Sequence, residues 1–169
     1  MRIFLSLFIL LVAISAVPAQ QHDEWRVFRS DEDGFSVEFP GTPKTDSRDL
    51  GGGASQKFFT VEAGSETFLV SVIRLPPGRV PASPDEEYFD VLLKAYNEGS
   101  KTNLRSRRMT TWAGQTAMEA IADAEGGIHL IDLTTSGDRV YLGVYAGAKG
   151  QENGPRATHL RDSFKLLGK

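Results

Sequence analysis

The sequence predicts an α+β protein in which an antiparallel sheet is flanked by helices, and three observations carry that expectation. Phe35-Ser36-Val37-Glu38-Phe39 alternates apolar and polar residues before a Pro40-Gly41 stop, the pattern of a strand with one packed face. From Asn103 to Ala146, strand-like runs are separated by Gly114, Gly126-Gly127 and Ser136-Gly137-Asp138, the short regular intervals of an antiparallel meander. Segments after Ser83 and after Gly154 instead repeat apolar residues at helical spacing, so each can lay one stripe on a sheet.

Taken in order, Trp25 to Arg29 is aromatic and β-branched and forms a first strand. Ser30-Asp31-Glu32-Asp33-Gly34 turns it back, with Gly34 free to take a positive φ. Phe35, Val37 and Phe39 then face a core, and Ser36 and Glu38 face water. Residues 41–55, rich in Gly, Thr, Pro, Lys and Asp around Gly51-Gly52-Gly53, are expected to be a mobile loop, because ordering three glycines costs the most backbone entropy. Gln56 to Ala63 and Thr67 to Leu75 make a hairpin about Gly64-Ser65-Glu66, closed by Pro76-Pro77-Gly78. Ser83 as N-cap with Glu86 three residues on forms a capping box, Tyr88, Phe89, Leu92, Leu93 and Tyr96 give the stripe, and Gly99 ends the helix. In the meander, Val140-Tyr141-Leu142-Gly143-Val144-Tyr145-Ala146 is apolar on both faces and is therefore expected at the centre of the sheet. Gly154-Pro155 opens a last helix whose buried residues are Ala157, Leu160 and Phe164.

Composition bounds the role. Met1-Arg2, the apolar run Ile3 to Val12 and the small residues of Val17-Pro18-Ala19 fit a cleaved secretory leader, which assigns 1–19 to a signal peptide and 20–24 to a flexible N-terminus. Residues 25–169 are then expected to form a single domain. No later stretch approaches the roughly 20 apolar residues a membrane helix needs, so no stable membrane insertion is expected after cleavage. The chain has no cysteine, which leaves neither a disulfide framework nor a thiol for lipid anchoring, and the expected location is the periplasm or the medium. About 150 residues bury roughly 70% of their unfolded surface, enough for a core without staples. A formal charge of −3, with 19 Lys and Arg against 22 Asp and Glu, argues against a nucleic-acid partner.

The run Asp33-Gly34-Phe35-Ser36-Val37-Glu38-Phe39-Pro40-Gly41-Thr42-Pro43, the meander with Arg139-Val140-Tyr141, and the close Leu160-Arg161-Asp162-Ser163-Phe164-Lys165-Leu166 together resemble the PsbP-like (Mog1/PsbP, DUF1795-type) family in an exported bacterial form. The resemblance implies an α/β/α sandwich around an antiparallel sheet. It also implies a protein that works by binding: PsbP supports the oxygen-evolving side of photosystem II and Mog1 binds a small GTPase. It transfers no functional residue to this chain.

Residue chemistry points the same way. Asp31-Glu32-Asp33-Gly34 falls short of a calcium loop, since Arg29 and Pro40 would stand at the first and twelfth ligand positions. His129 with Asp123, Glu125 or Asp132 is the nearest approach to a metal set, yet alternation puts His129 and Asp132 on opposite faces. Ser55 lies outside a nucleophile elbow, and Gly51-Gly52-Gly53 lacks the Lys-Ser pair of a phosphate loop. No catalytic residue, metal or cofactor is therefore expected. In an ideal strand Lys101, Arg105 and Arg107 share one face, the candidate partner-binding basic face, although edge charges that discourage aggregation look the same. The leading expectation is an exported non-catalytic binding or accessory module whose partner is another envelope or secreted protein. The alternatives are a carrier of a small molecule or metal, with a pocket between sheet and helix lined by Tyr88, Tyr96, Tyr141 or Tyr145, and, more remotely, a hydrolase.

Overall fold

A computed structural model describes residues 24–168. The leader assigned to 1–19, and 20–23 of the expected flexible terminus, lie outside the described residues. In chain order the elements are β1 (Arg26–Ser30), β2 (Phe35–Phe39), β3 (Lys44–Gly51), β4 (Ala54–Ala63), β5 (Glu66–Arg74), α1 (Glu86–Ser100), β6 (Asn103–Trp112), β7 (Gln115–Ala124), β8 (Gly127–Ser136), β9 (Arg139–Gly147), α2 (Pro155–Ser163) and β10 (Lys165–Leu166). All strand pairs are antiparallel.

The α+β class holds, but the single sheet is corrected to two. A seven-stranded sheet runs β3-β4-β5-β9-β8-β7-β6, and a three-stranded one runs β1-β2-β10. As its two apolar faces require, β9 is the central strand of the larger sheet. Tyr141 and Tyr145 join one core cluster with Phe68, Val70, Leu130 and the α2 residues Ala157 and Leu160. Val140, Leu142 and Val144 join the other, with Met118, Ile131 and the α1 residues Phe89 and Leu93. One face of the large sheet therefore meets α1. The other meets α2 together with the small sheet, so that layer is not helix alone as an α/β/α sandwich would have it.

Phe35, Val37 and Phe39 are fully buried, and they bring the small sheet onto the large one. Phe35 packs against Phe59 with ring centroids 5.2 Å apart and against Phe164 at 5.7 Å. The preceding turn is locked as well as tight. Tyr141 donates from its hydroxyl to the Asp33 carbonyl at 2.8 Å, and Gly34 has φ 74° where a Cβ would meet that hydroxyl at 3.2 Å. β10 pairs only with Ser36 and Phe35 of β2, and Ser163 at the end of α2 then continues the ladder with its side chain, Oγ accepting from the Glu38 amide at 3.1 Å.

Other expectations are corrected. Residues 41–55 are not a structureless loop, because Lys44–Gly51 pairs along β4 and Gly51 to Gly53 turn the hairpin at positive φ. Every residue of β3 is exposed, so no apolar period marked it in the sequence. α1 is capped by Asp85, whose carboxylate accepts the Tyr88 amide at 2.9 Å, rather than by Ser83. It ends at Ser100 with Lys101 in the left-handed region at φ 54°, rather than at Gly99.

Phe35→Ala is expected to lower unfolding free energy by about 3–5 kcal/mol in urea titration, since it empties a site closed by rings on several sides. Val27→Ala, at a position 71% exposed, should stay within about 0.5 kcal/mol of the parent.

Candidate functional site

The basic face does not form. Lys101 is the left-handed cap of α1, so its side chain leaves the strand alternation before β6 begins. The β6 register then shifts between Leu104 and Ser106, which takes Arg105 out of step with Arg107. Each arginine is also neutralised: Arg105 meets Glu152 at 2.6 Å and Asp123 at 2.5 Å, while Arg107 meets Asp90 at 2.7 Å and also Glu86. β6 shows solvent a set of ion pairs, not a bare cationic stripe.

The tyrosine-lined pocket is likewise divided. Tyr88 and Tyr96 belong to the α1 side of the sheet, and Tyr141 and Tyr145 to the α2 side, because both of the latter are odd-numbered residues of β9. Tyr145 donates to Glu66, and Tyr141 is spent on the Asp33 carbonyl. Tyr96 shares a 2.7 Å hydrogen bond with His129 Nδ1. Burial pushes the Tyr96 phenol up to about 12 and the His129 imidazole down. His129 and Asp132 do lie on opposite faces, and no group of three metal-ligating side chains occurs among the described residues. Asp33 faces Ser30 Oγ and Lys57 Nζ, and forms a buried turn anchor.

What the structure does assemble is a charged row beneath α2. Arg108 on β6, Glu119 on β7 and Asp132 on β8 are direct cross-strand neighbours, and the row continues into Gly143 of β9 and Val70 of β5. Arg161 reaches down from the last turn of α2. Its guanidinium meets Glu119 and stands with Nε 3.3 Å from Asp132 Oδ1, while Arg108 holds the other Glu119 oxygen at 2.7 Å. Glycine at 143 is what admits the indole of Trp112, since a Cβ there would lie 2.8 Å from the ring. From that slot Trp112 Nε1 donates to the Arg161 carbonyl at 2.9 Å, and the ring stacks on Phe164 at 4.1 Å.

Asp132 is the anomalous member. It is 4% exposed, and Oδ1 receives no hydrogen bond because the nearby guanidinium is turned to Glu119. Burial pushes its carboxyl up to about 7, with Asp162 adding to the rise and Arg108 opposing it. Beside it lies a narrow cavity of about 10 Å³ between Trp112, Gly143 and Arg161. Sequence reasoning weighed Asp132 only as a metal ligand and passed over Glu119 and Arg161 as site residues. The available signal was a lone aspartate inside the apolar run Ile131-Asp132-Leu133 of a covered strand.

The element order, the two-sided burial of β9 and the antiparallel sheets define a PsbP-like α+β fold. The solution structure of CyanoP, the cyanobacterial PsbP from Synechocystis sp. PCC 6803, superposes with a TM-score of 0.59 over 91% of this chain and 99% of that one, at 13% identity. A crystal structure from Bacteroides thetaiotaomicron VPI-5482 is similar only at a TM-score of 0.35 and 12% identity, over 80% of this chain and 46% of that one, and carries no argument. No family model and no curated protein matches the chain.

Arg161→Met removes the cation between two carboxyl groups and should cost about 3 kcal/mol in chemical denaturation. Arg26→Met, whose side chain is 63% exposed in a pair with Glu24, should leave the denaturation midpoint unchanged within error.

Proposed function

We propose that the chain is an exported, non-catalytic binding or accessory module of the PsbP-like, DUF1795 type, acting on a protein partner of the envelope or the extracellular medium. The observation that carries this reading is the likeness to CyanoP from end to end of that protein, on a chain that begins with a secretory leader pattern. No helix among the described residues is long and apolar enough to cross a membrane, which agrees with delivery of the folded part beyond it.

The docking surface in this reading is β3. It supplies eight consecutive exposed residues at one edge of the large sheet and buries none of them. Simple strand addition is obstructed there, because Asp46 accepts the Ser47 amide at 2.7 Å and Asp49 accepts the Gly51 amide at 2.7 Å. A partner therefore meets side chains: Lys44, Asp46, Asp49, and Arg48 held over Phe58 by Gln56 at 2.6 Å. A charged, preorganised edge of this kind contributes specificity and association rate more than raw affinity.

A photo-cross-linking amino acid at Thr45, introduced into the protein expressed in its own host, is expected to give one discrete heterologous adduct that is absent when the probe stands at Lys149. Equal labelling from both positions, or turnover of a substrate by the purified protein, would contradict the reading.

A further inference from the structure

Two aspartates of the described residues are buried to the same degree, each 4% exposed, and they are treated in opposite ways. Asp33 receives Ser30 Oγ at 2.8 Å and Lys57 Nζ at 3.3 Å, with Arg74 beyond, so its charge is answered. Asp132 Oδ1 accepts no hydrogen bond, and its nearest counter-charge, Arg161 Nε at 3.3 Å, belongs to a guanidinium turned to Glu119. We propose that Asp132 is a proton-operated latch on the last turn of α2: the neutral carboxyl leaves Arg161 to Glu119 and holds that turn down, and the ionised carboxylate draws Arg161 away and loosens it.

The geometry shows the held position of the latch, with Arg161 on Glu119 and its Nε already 3.3 Å from Asp132. The groups facing Asp132 are Arg108 on β6, Glu119 on β7, Tyr145 on β9, and Arg161 and Asp162 on α2. Tyr145 is committed to Glu66, and Asp162 repels a second negative charge. The cavity beside the carboxyl, about 10 Å³, holds at most one water, and its other walls are largely apolar. An ionised Asp132 therefore gains little hydration in place and pulls on Arg161, the cation nearest to it. Glu119 survives the loss because Arg108 remains on it at 2.7 Å.

The consequence travels outward along hydrogen bonds. Arg161 also carries the carbonyl that accepts Trp112 Nε1, and two residues on, Ser163 holds the Glu38 amide of β2. A shift of Arg161 thus moves the Trp112 indole and the junction of α2 with the small sheet. That junction borders an open surface groove lined by Glu38, His159, Asp162, Ser163 and Lys165, so the latch alters a surface as well as a core.

Burial puts the midpoint near neutrality, the Asp132 carboxyl standing at about 7 against an ordinary 3.8. Between those values the folded chain keeps a proton that the unfolded chain has lost, so stability falls as pH rises through the window and stays lower above it.

The test is a titration of Trp112 fluorescence in the full-length protein carrying Trp25→Phe, from about pH 5 to about pH 9. A transition centred near pH 7 is expected, and Asp132→Asn should abolish it while leaving the neutral-form spectrum. Glu119→Gln weakens the competing claim on Arg161 and should move the midpoint down by about one pH unit or more. Thermal melts give a second readout: the Tm advantage of Asp132→Asn over the parent should grow between about pH 5 and about pH 8. A flat titration, a transition that persists in Asp132→Asn, an unmoved midpoint in Glu119→Gln, or a Tm difference independent of pH would each overturn the latch.

Discussion

β9 has to be covered twice. Val140, Leu142 and Val144 point one way, and Tyr141 and Tyr145 the other, and all five are buried. A strand of this kind is stable only inside a sheet with a layer on each face, and most of the architecture follows from meeting that demand. α1 supplies one layer through Phe89 and Leu93. On the opposite face α2 is only nine residues long, so the small sheet shares the work through Phe35, Val37 and Phe39. The Tyr141 hydroxyl then fixes the small sheet in register by holding the Asp33 carbonyl.

The same geometry explains why polar chemistry collects where it does. The α2 face of the large sheet is apolar near β4 and β5, but at β6, β7 and β8 one cross-strand row is Arg108, Glu119 and Asp132. Arg161 closes over that row, and the glycine at 143 lets Trp112 bridge from sheet to helix. The short helix is thereby anchored by a guanidinium and an indole as well as by buried Ala157 and Leu160.

Elements that bury a face were legible in the sequence. The β2 alternation, the glycine-punctuated meander and the central place of β9 all follow from side-chain period, and the structure keeps them within a residue or two at their ends. β3 was not legible because it buries nothing and so carries no period. The start of α1 was misplaced by two residues because Ser83 and Asp85 are both capping residue types, and the buried residues Phe89 and Leu93 lie too far along to separate them. The basic cluster misled for a different reason. Its counter-charges lie far along the chain, Asp90 being 17 positions from Arg107 and Glu152 being 47 from Arg105, and no local pattern announces them. The row at Asp132 depends on register across three strands, which composition does not encode.

Native-state hydrogen exchange, resolved by residue, tests the central claim most directly. If coverage of β9 on both faces organises the molecule, the amides of Val140, Leu142 and Val144 exchange only through global unfolding, while those of β3 exchange through local opening at much lower free energy. Exchange of the β9 amides as fast as that of β3, or loss of β9 protection without loss of the sheet, would contradict the account.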